Sequence, residues 1–300
     1  MSPFFTLRTC TVVVRAVLLA LFFQVKVAPV AAFDDTRPEH AGLRLATWNI
    51  EWLRPNFKPG SPVRRSGKDY AALAEEFARL APDVLAIQEV ASVGMMERLT
   101  GPGGHYRTIL EKRKGEQRVG FTIRRTLSWQ RHPDVLLAGR KRHIRNGVHI
   151  SLVYRGERYH LLSVHLVSGC QRDPLTGDRK ACKRLYSQLQ PLECWLKKWS
   201  KEGVAIILGD FNRPLAEKEP FWVRLSQQTT LYSPTLGQKD HCPARTGNFL
   251  PHTLIDHVVM AASGSRAPAL TSVCAKRQLW SQRRASIYLL SDHCPVYVDL

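Results

Sequence analysis

The sequence predicts an α/β sandwich in which sheets pack against each other and helices cover them. Three observations predict it. Apolar runs of strand length alternate with amphipathic helical stretches near both ends of the chain, and hairpin-like runs fill the middle. A hydrophobic content of 44% over 300 residues is enough to bury a large core. Neither G-x-G-x-x-G nor G-x-x-x-x-G-K-[ST] occurs, so no dinucleotide loop or P-loop is expected, and there is no repeat of solenoid period.

Residues 1–32 stand apart from the sandwich. Arg8 and Arg15 precede the apolar run 16–23, and Val30-Ala31-Ala32 supplies small residues, the order of a signal peptide cleaved after Ala32. The run falls short of the roughly 20 residues that a spanning helix needs. With no second span in the sequence, the expectation is an exported protein, periplasmic or extracellular, with one monomeric domain over residues 33–300.

The elements of that domain follow in order. Leu43–Trp48 reads as a strand, and the Pro-, Gly-, Ser- and Arg-rich stretch from Arg54 to Lys68 reads as an exposed loop. Tyr70, Leu73, Phe77 and Leu80 recur at steps of three and four, which predicts a helix over 69–80 that Ala81-Pro82-Asp83 stops. Short apolar runs predict strands at 84–87, 119–123, 148–154 and 159–166, the last two joined through Arg155-Gly156-Glu157. Leu185, Leu189, Leu192, Leu196 and Trp199 keep one face of a second helix, 183–200. Strands at 204–208, 255–261 and 295–300 complete the set.

Cysteine usage agrees with export. Beyond Cys10 the chain has Cys170, Cys182, Cys194, Cys242, Cys274 and Cys294, an even set that reads as a disulfide framework. No C-x-x-C pair points to structural zinc. Cys170 with Cys182, flanking a loop that holds Asp173-Pro174 and Thr176-Gly177, is the pairing singled out.

Charge points to a polyanionic partner. Lys and Arg number 44 against 25 acids, and the net +19 falls by three to +16 once Arg8, Arg15 and Lys26 of the leader are removed. Nucleic acid fits, because each neutralised phosphate releases counterions; a solubility feature or attraction to an anionic surface fits as well. The cations gather at Lys112-Arg113-Lys114, Arg124-Arg125, Arg140-Lys141-Arg142 and Arg145, either along a groove or on a solvated face.

Six apolar segments end on carboxylates, amides or imidazoles: Asn49, Gln88-Glu89, His165, Asp210 with Asn212, Asp256-His257 and Asp292-His293. Singly, each suits a turn, a cap or a satisfied buried histidine. It is their joint occurrence at comparable strand ends that outweighs those readings.

T-W-N-I-E-W, D-V-L-A-I-Q-E-V, S-V-H-L, G-D-F-N, I-D-H-V-V and S-D-H-C-P-V, in this order over residues 45–300, resemble the signature blocks of the endonuclease/exonuclease/phosphatase superfamily, the DNase I-like metal-dependent phosphoesterases. The resemblance implies a four-layer α/β sandwich: two mixed, mostly antiparallel sheets packed face to face, with helices outside and the site at one edge. It also implies that Asn49 and Glu89 hold Mg2+, for which Mn2+ or Ca2+ substitutes, with Asp210 and Asp292 completing or sharing the site. His165 and His293 become the acid and base, in either order, and Asp256 orients His293. Asp210 positions water and Asn212 bonds the phosphate. Arg145 stands where a phosphate-contacting arginine is common, and Glu116 or Gln117 where the first histidine often has a polar partner.

DNA-cutting members carry an arginine two places beyond the glutamate, where this chain has Ala91. The leading expectation is a secreted nuclease acting on DNA or RNA. A phosphomonoesterase or phospholipid phosphodiesterase acting on phosphoinositide or sphingomyelin headgroups is the alternative, and an inactive binding protein is a third.

Overall fold

The computed structural model describes residues 42–55, 63, 65–137, 144–240, 252–262, 272–274 and 290–300. The expected signal peptide, the Arg140-Lys141-Arg142 cluster and Cys242 lie outside the described residues. Among the described residues no helix is long and apolar enough to cross a membrane.

Two six-stranded sheets face each other. Sheet I is built from β1 (Arg44–Leu53), β2 (Val84–Val90), β3 (Tyr106–Leu110), β4 (Arg118–Arg124), β13 (Ser272–Cys274) and β14 (Val296–Asp299), in the order β13-β14-β1-β2-β4-β3. Sheet II holds β5 (Trp129–Arg131), β6 (Val148–Tyr154), β7 (Glu157–His165), β8 (Val204–Asp210), β9 (Leu231–Tyr232) and β12 (Asp256–Ala261), ordered β9-β12-β8-β7-β6-β5. A short ribbon pairs β10 (Lys239–Asp240) with β11 (His252–Thr253). β1 with β2 and β7 with β8 run parallel; the other pairs are antiparallel.

Strict alternation along the strands sorts side chains between layers. Leu45, Ala86, Phe121, Ile150, Leu161, Ile206, Val258 and Val298 meet in the apolar core between the sheets. Leu162, Val164, Ala205, Ile207 and Val259 point the other way, onto α3 (Lys180–Trp199) and α4 (Pro220–Leu225). On the outside of sheet I, α1 (Gly67–Leu80) and α2 (Val93–Thr100) form the fourth layer, with Phe77 edge-on to Tyr106 at 4.8 Å. The layers match those implied by the resemblance.

Helix boundaries follow local chemistry. Ser66 caps α1 in a reciprocal box with Asp69, and Ala81 ends it in the left-handed region. Glu219 caps α4 through the Trp222 amide, with Pro220 opening its first turn. The described part of the 54–68 stretch is not all exposed loop: Arg65 is half-buried and donates to the carbonyls of Ile50, Glu51, Trp52 and Leu290. It thereby ties the end of β1 to the segment leading into β14.

The disulfide Cys170–Cys182 is present and closes the loop onto the first turn of α3. Cys294 is also disulfide-bonded. Cys194, on the exposed side of α3, is a free thiol, so the expected framework does not include it.

Candidate phosphoester site

The site forms where the carboxyl ends of four central strands converge. Register does much of the work in sheet II. His165 pairs directly with Asp210 across β7 and β8, and Asp210 pairs with Asp256 across β8 and β12. Three functional side chains therefore stand in one row on the inner face, at the 4.7–4.9 Å strand spacing. Gly209 permits this close approach, because a Cβ there would lie 2.0 Å from the Val164 carbonyl oxygen. The neighbouring His257 faces outward, its two nitrogens occupied by Thr235 and the Arg213 carbonyl.

Sheet I delivers its residues through irregular backbone. The β1–β2 register shifts between Asn49 and Leu53, and the β2–β4 register between Ile87 and Val90. Glu51, Trp52 and Glu89 take positive φ values of 44°, 53° and 61° there, and Asn212 takes 52° just beyond β8. A non-glycine residue in this region costs on the order of 1 kcal/mol or more, and such strain concentrates where side chains must be aimed. Hydrogen bonds fix the result. The Glu51 amide donates to Asn49 Oδ1 at 3.1 Å, and the Trp52 amide donates to Glu89 Oε2 at 3.0 Å.

Asp210 Oδ2 is the hub. It accepts from Asn49 Nδ2 at 3.0 Å and Asn212 Nδ2 at 3.2 Å, and lies 3.4 Å from His165 Nε2 and 3.8 Å from His293 Nε2. Its other oxygen accepts the Asn212 amide at 2.7 Å. Glu89 Oε1 sits 3.9 Å from His165 Nε2, and Asp292 Oδ1 sits 3.8 Å from His293 Nε2. Asp256 Oδ2 holds His293 Nδ1 at 2.6 Å, which leaves Nε2 facing the cleft. Asn49, Glu89, His165, Asp210, Asn212, Asp256, Asp292 and His293 thus surround one space.

The electrostatics separate the two histidines. Burial lowers His165 well below its ordinary value, and the charges of Arg145 and His293 lower it further, so it is neutral. Burial also opposes charge on His293, but Asp256, Asp210 and Asp292 overcome it and raise that imidazole well above its ordinary value. Asp210 is pushed up to about 6 by burial, with the Asp256 charge adding to the shift. Glu89 is raised by burial too, against hydrogen bonds from Gln117 and the Trp52 amide.

A buried and a partly buried carboxylate that resist ionisation beside two oxygen-bearing amides are what a hard divalent cation would stabilise. The oxygen donors of Asn49, Glu89 and Asp210, with Asp292 at the half-exposed rim, fit Mg2+ and offer no thiolate to a softer ion. Asp210, Asp256 and His293 also present ligand atoms within 4.8 Å of one another.

The two supporting assignments resolve differently. Arg145 donates to the carbonyls of His165 and Leu166, and lines a cavity of about 250 Å³ that opens beside His165 toward Lys180 and Arg184 of α3. Glu116 pairs with Arg54 at 2.8 Å, and His165 Nδ1 has no hydrogen-bond partner among the described residues, so neither Glu116 nor Gln117 bonds it there. Of the basic runs, Arg124 is spent internally on Asp83 at 3.1 Å.

Sequence reasoning missed Glu51 and Ser291. Glu51 Oε2 accepts the Asp292 amide at 3.0 Å, and the Ser291 hydroxyl donates to the Asn49 carbonyl at 2.7 Å while accepting the His293 amide. Both lie inside the quoted blocks T-W-N-I-E-W and S-D-H-C-P-V, so the available signal was a polar residue inside an otherwise apolar strand end.

No protein-family model matches the chain, and no curated protein matches it by sequence. Solved structures do match. D. rerio TDP2 complexed with a single-strand DNA product aligns with a TM-score of 0.60 at 16% identity, over 85% of this chain and 97% of that one. An endonuclease/exonuclease/phosphatase from Bacteroides vulgatus gives 0.60 at 14%, over 86% and 98%. A mannosyl-6-phosphatase from Bacteroides thetaiotaomicron gives 0.55 at 17%, over 86% and 98%. At these identities the likeness is one of fold, and it extends over nearly the full length of each of these chains.

Proposed function

We propose that this chain, built on the DNase I-like endonuclease/exonuclease/phosphatase fold, is an exported Mg2+-dependent phosphodiesterase that cleaves nucleic acid. The observation that carries the reading is the convergence on Asp210 Oδ2 of Asn49, Asn212, His165 and His293, contributed by both sheets. Asn49, Glu89, Asp210 and Asp292 would hold the cation, which when bound would neutralise charge on a phosphoryl oxygen.

The chain's own groups do the rest. Neutral His165 offers an N–H donor to the phosphate, and Asn212 does so once substrate takes one of the two amide hydrogens that it gives to Asp210 and the Leu166 carbonyl in the free site. Asp210 accepts a hydrogen bond from the attacking water and fixes its line of approach. His293, charged and held at Nδ1 by Asp256, keeps a proton at Nε2 for the leaving oxygen.

Substrate class follows from charge beyond the reacting group. Arg145, Lys180 and Arg184 line a cavity that continues from His165, as a substrate with further phosphates requires. The D. rerio TDP2 structure with DNA product supports the same reading, and a phospholipid diester or a phosphomonoester is the second reading because the mannosyl-6-phosphatase shares the fold. Export is supported by the Cys170–Cys182 disulfide, since such bonds persist in oxidising compartments.

The purified protein, offered plasmid, RNA, phosphoinositide vesicles and sphingomyelin vesicles with Mg2+, is expected to cut plasmid or RNA and to leave both lipids intact. Headgroup or phosphate release with intact polynucleotide would transfer the reading to the phospholipid class.

A further inference from the structure

Three histidines gather on the face of sheet II opposite the cleft. His132 follows β5, His149 lies at the start of β6 and His160 lies in β7, and one ring nitrogen from each comes within 4.8 Å of the others. His149 Nε2 faces His160 Nδ1 at 3.3 Å. His132 stacks on His149 with centroids 4.1 Å apart, and Trp199 of α3 covers His149 and His160 at 4.7 and 4.3 Å. His160 and His165 are five residues apart on β7. They therefore point to opposite faces, roughly 17 Å apart along the strand, and the cluster is separate from the phosphoester site.

We propose that His132, His149 and His160 form a second metal site, for a divalent transition ion of the zinc class, with water as the fourth ligand. Imidazole nitrogen suits zinc, nickel and copper, whereas magnesium takes oxygen. Two nitrogens bound tetrahedrally at about 2.0–2.1 Å from one ion stand roughly 3.3–3.4 Å apart, which is the His149–His160 separation.

The ligands are also in the right state. His149 and His160 are both buried, at 2% and 1% exposure, and the neutral imidazole is the form that binds an ion. His132 is half-buried, and to turn toward the ion it must release both its bond to Ser151 Oγ at 2.8 Å and its stacking on His149. Glu202 favours a cation here, while Lys198 and Arg158 oppose one.

The ion would tie the three-residue edge strand β5 to β6 and β7. Its role is structural, and activity on phosphoesters does not report it.

The test is Co2+ and Zn2+ binding to the full chain, stripped with chelator and then kept in excess Mg2+, followed by Co2+ visible absorption and calorimetry. One equivalent is expected, with tetrahedral Co2+ bands and a Tm that rises with Zn2+. His132→Ala, at a half-exposed position, should weaken that equivalent by more than the roughly 10–100-fold typical of losing a supporting partner. His149→Gln should do the same, and His165→Ala should leave it intact. Absence of transition-ion binding to the wild type, binding unchanged in both His132→Ala and His149→Gln, or loss of the equivalent in His165→Ala would each overturn the proposal.

Discussion

Asp210→Asn is expected to lower turnover by roughly 10²–10⁴-fold while the protein still melts cooperatively. The carboxylate is the meeting point of Asn49, Asn212, His165 and His293, and the amide is isosteric with it. Substitution removes a negative charge that burial and Asp256 already disfavour, so the fold loses little. What it loses is an acceptor: one amide position must now present N–H to groups that are themselves donors. Steady-state hydrolysis and a thermal melt of the same preparation separate the two effects. Wild-type turnover would remove Asp210 from the chemistry.

Asp256→Asn is expected to have an effect of similar size, roughly 10²–10⁴-fold, by a different route. Asp256 acts on the chemistry through His293, whose Nδ1 it holds at 2.6 Å and whose charged form it supports, besides adding to the raised pKa of Asp210. Asparagine keeps the shape but no longer compensates the charge, so the raised pKa of His293 must fall. The predicted signature is therefore a pH profile that loses activity at a lower pH on its alkaline side, as the proton on His293 departs earlier. Reduced turnover with an unshifted profile would make Asp256 a purely structural residue.

The layers of this fold were legible because alternation and helical periodicity were clean: the runs 84–87, 148–154, 159–166 and 204–208 all became strands, and the faces of 69–80 and 183–200 became packed helices. The site residues were legible as polar groups at strand ends. Their register was not. That His165, Asp210 and Asp256 stand side by side depends on pairings between strands distant in sequence.

Other features escaped for local reasons. β1 runs to Leu53 rather than stopping at Trp48, because a bulge with two positive-φ residues carries the chain past Asn49. Helix α2 and strand β3 are short, and only three buried side chains mark α2. Glu51 carries no signal of its own in the sequence beyond its place inside an apolar strand end, and is 4% exposed, serving the Asp292 amide. Cys194 had the same standing in the sequence as its bonded neighbours; only the geometry of α3, which turns it outward, sets it apart.

The central claim is that oxygen ligands from both sheets seat a divalent cation against a phosphoester. Its most direct measurement is plasmid hydrolysis by wild type and Glu89→Gln in chelator, followed by a Mg2+ titration. The account predicts no cleavage in chelator, full recovery of the wild type as Mg2+ returns, and a variant that recovers little or needs far more Mg2+. Cleavage that persists in chelator, or a Glu89→Gln titration superimposable on that of the wild type, would contradict it.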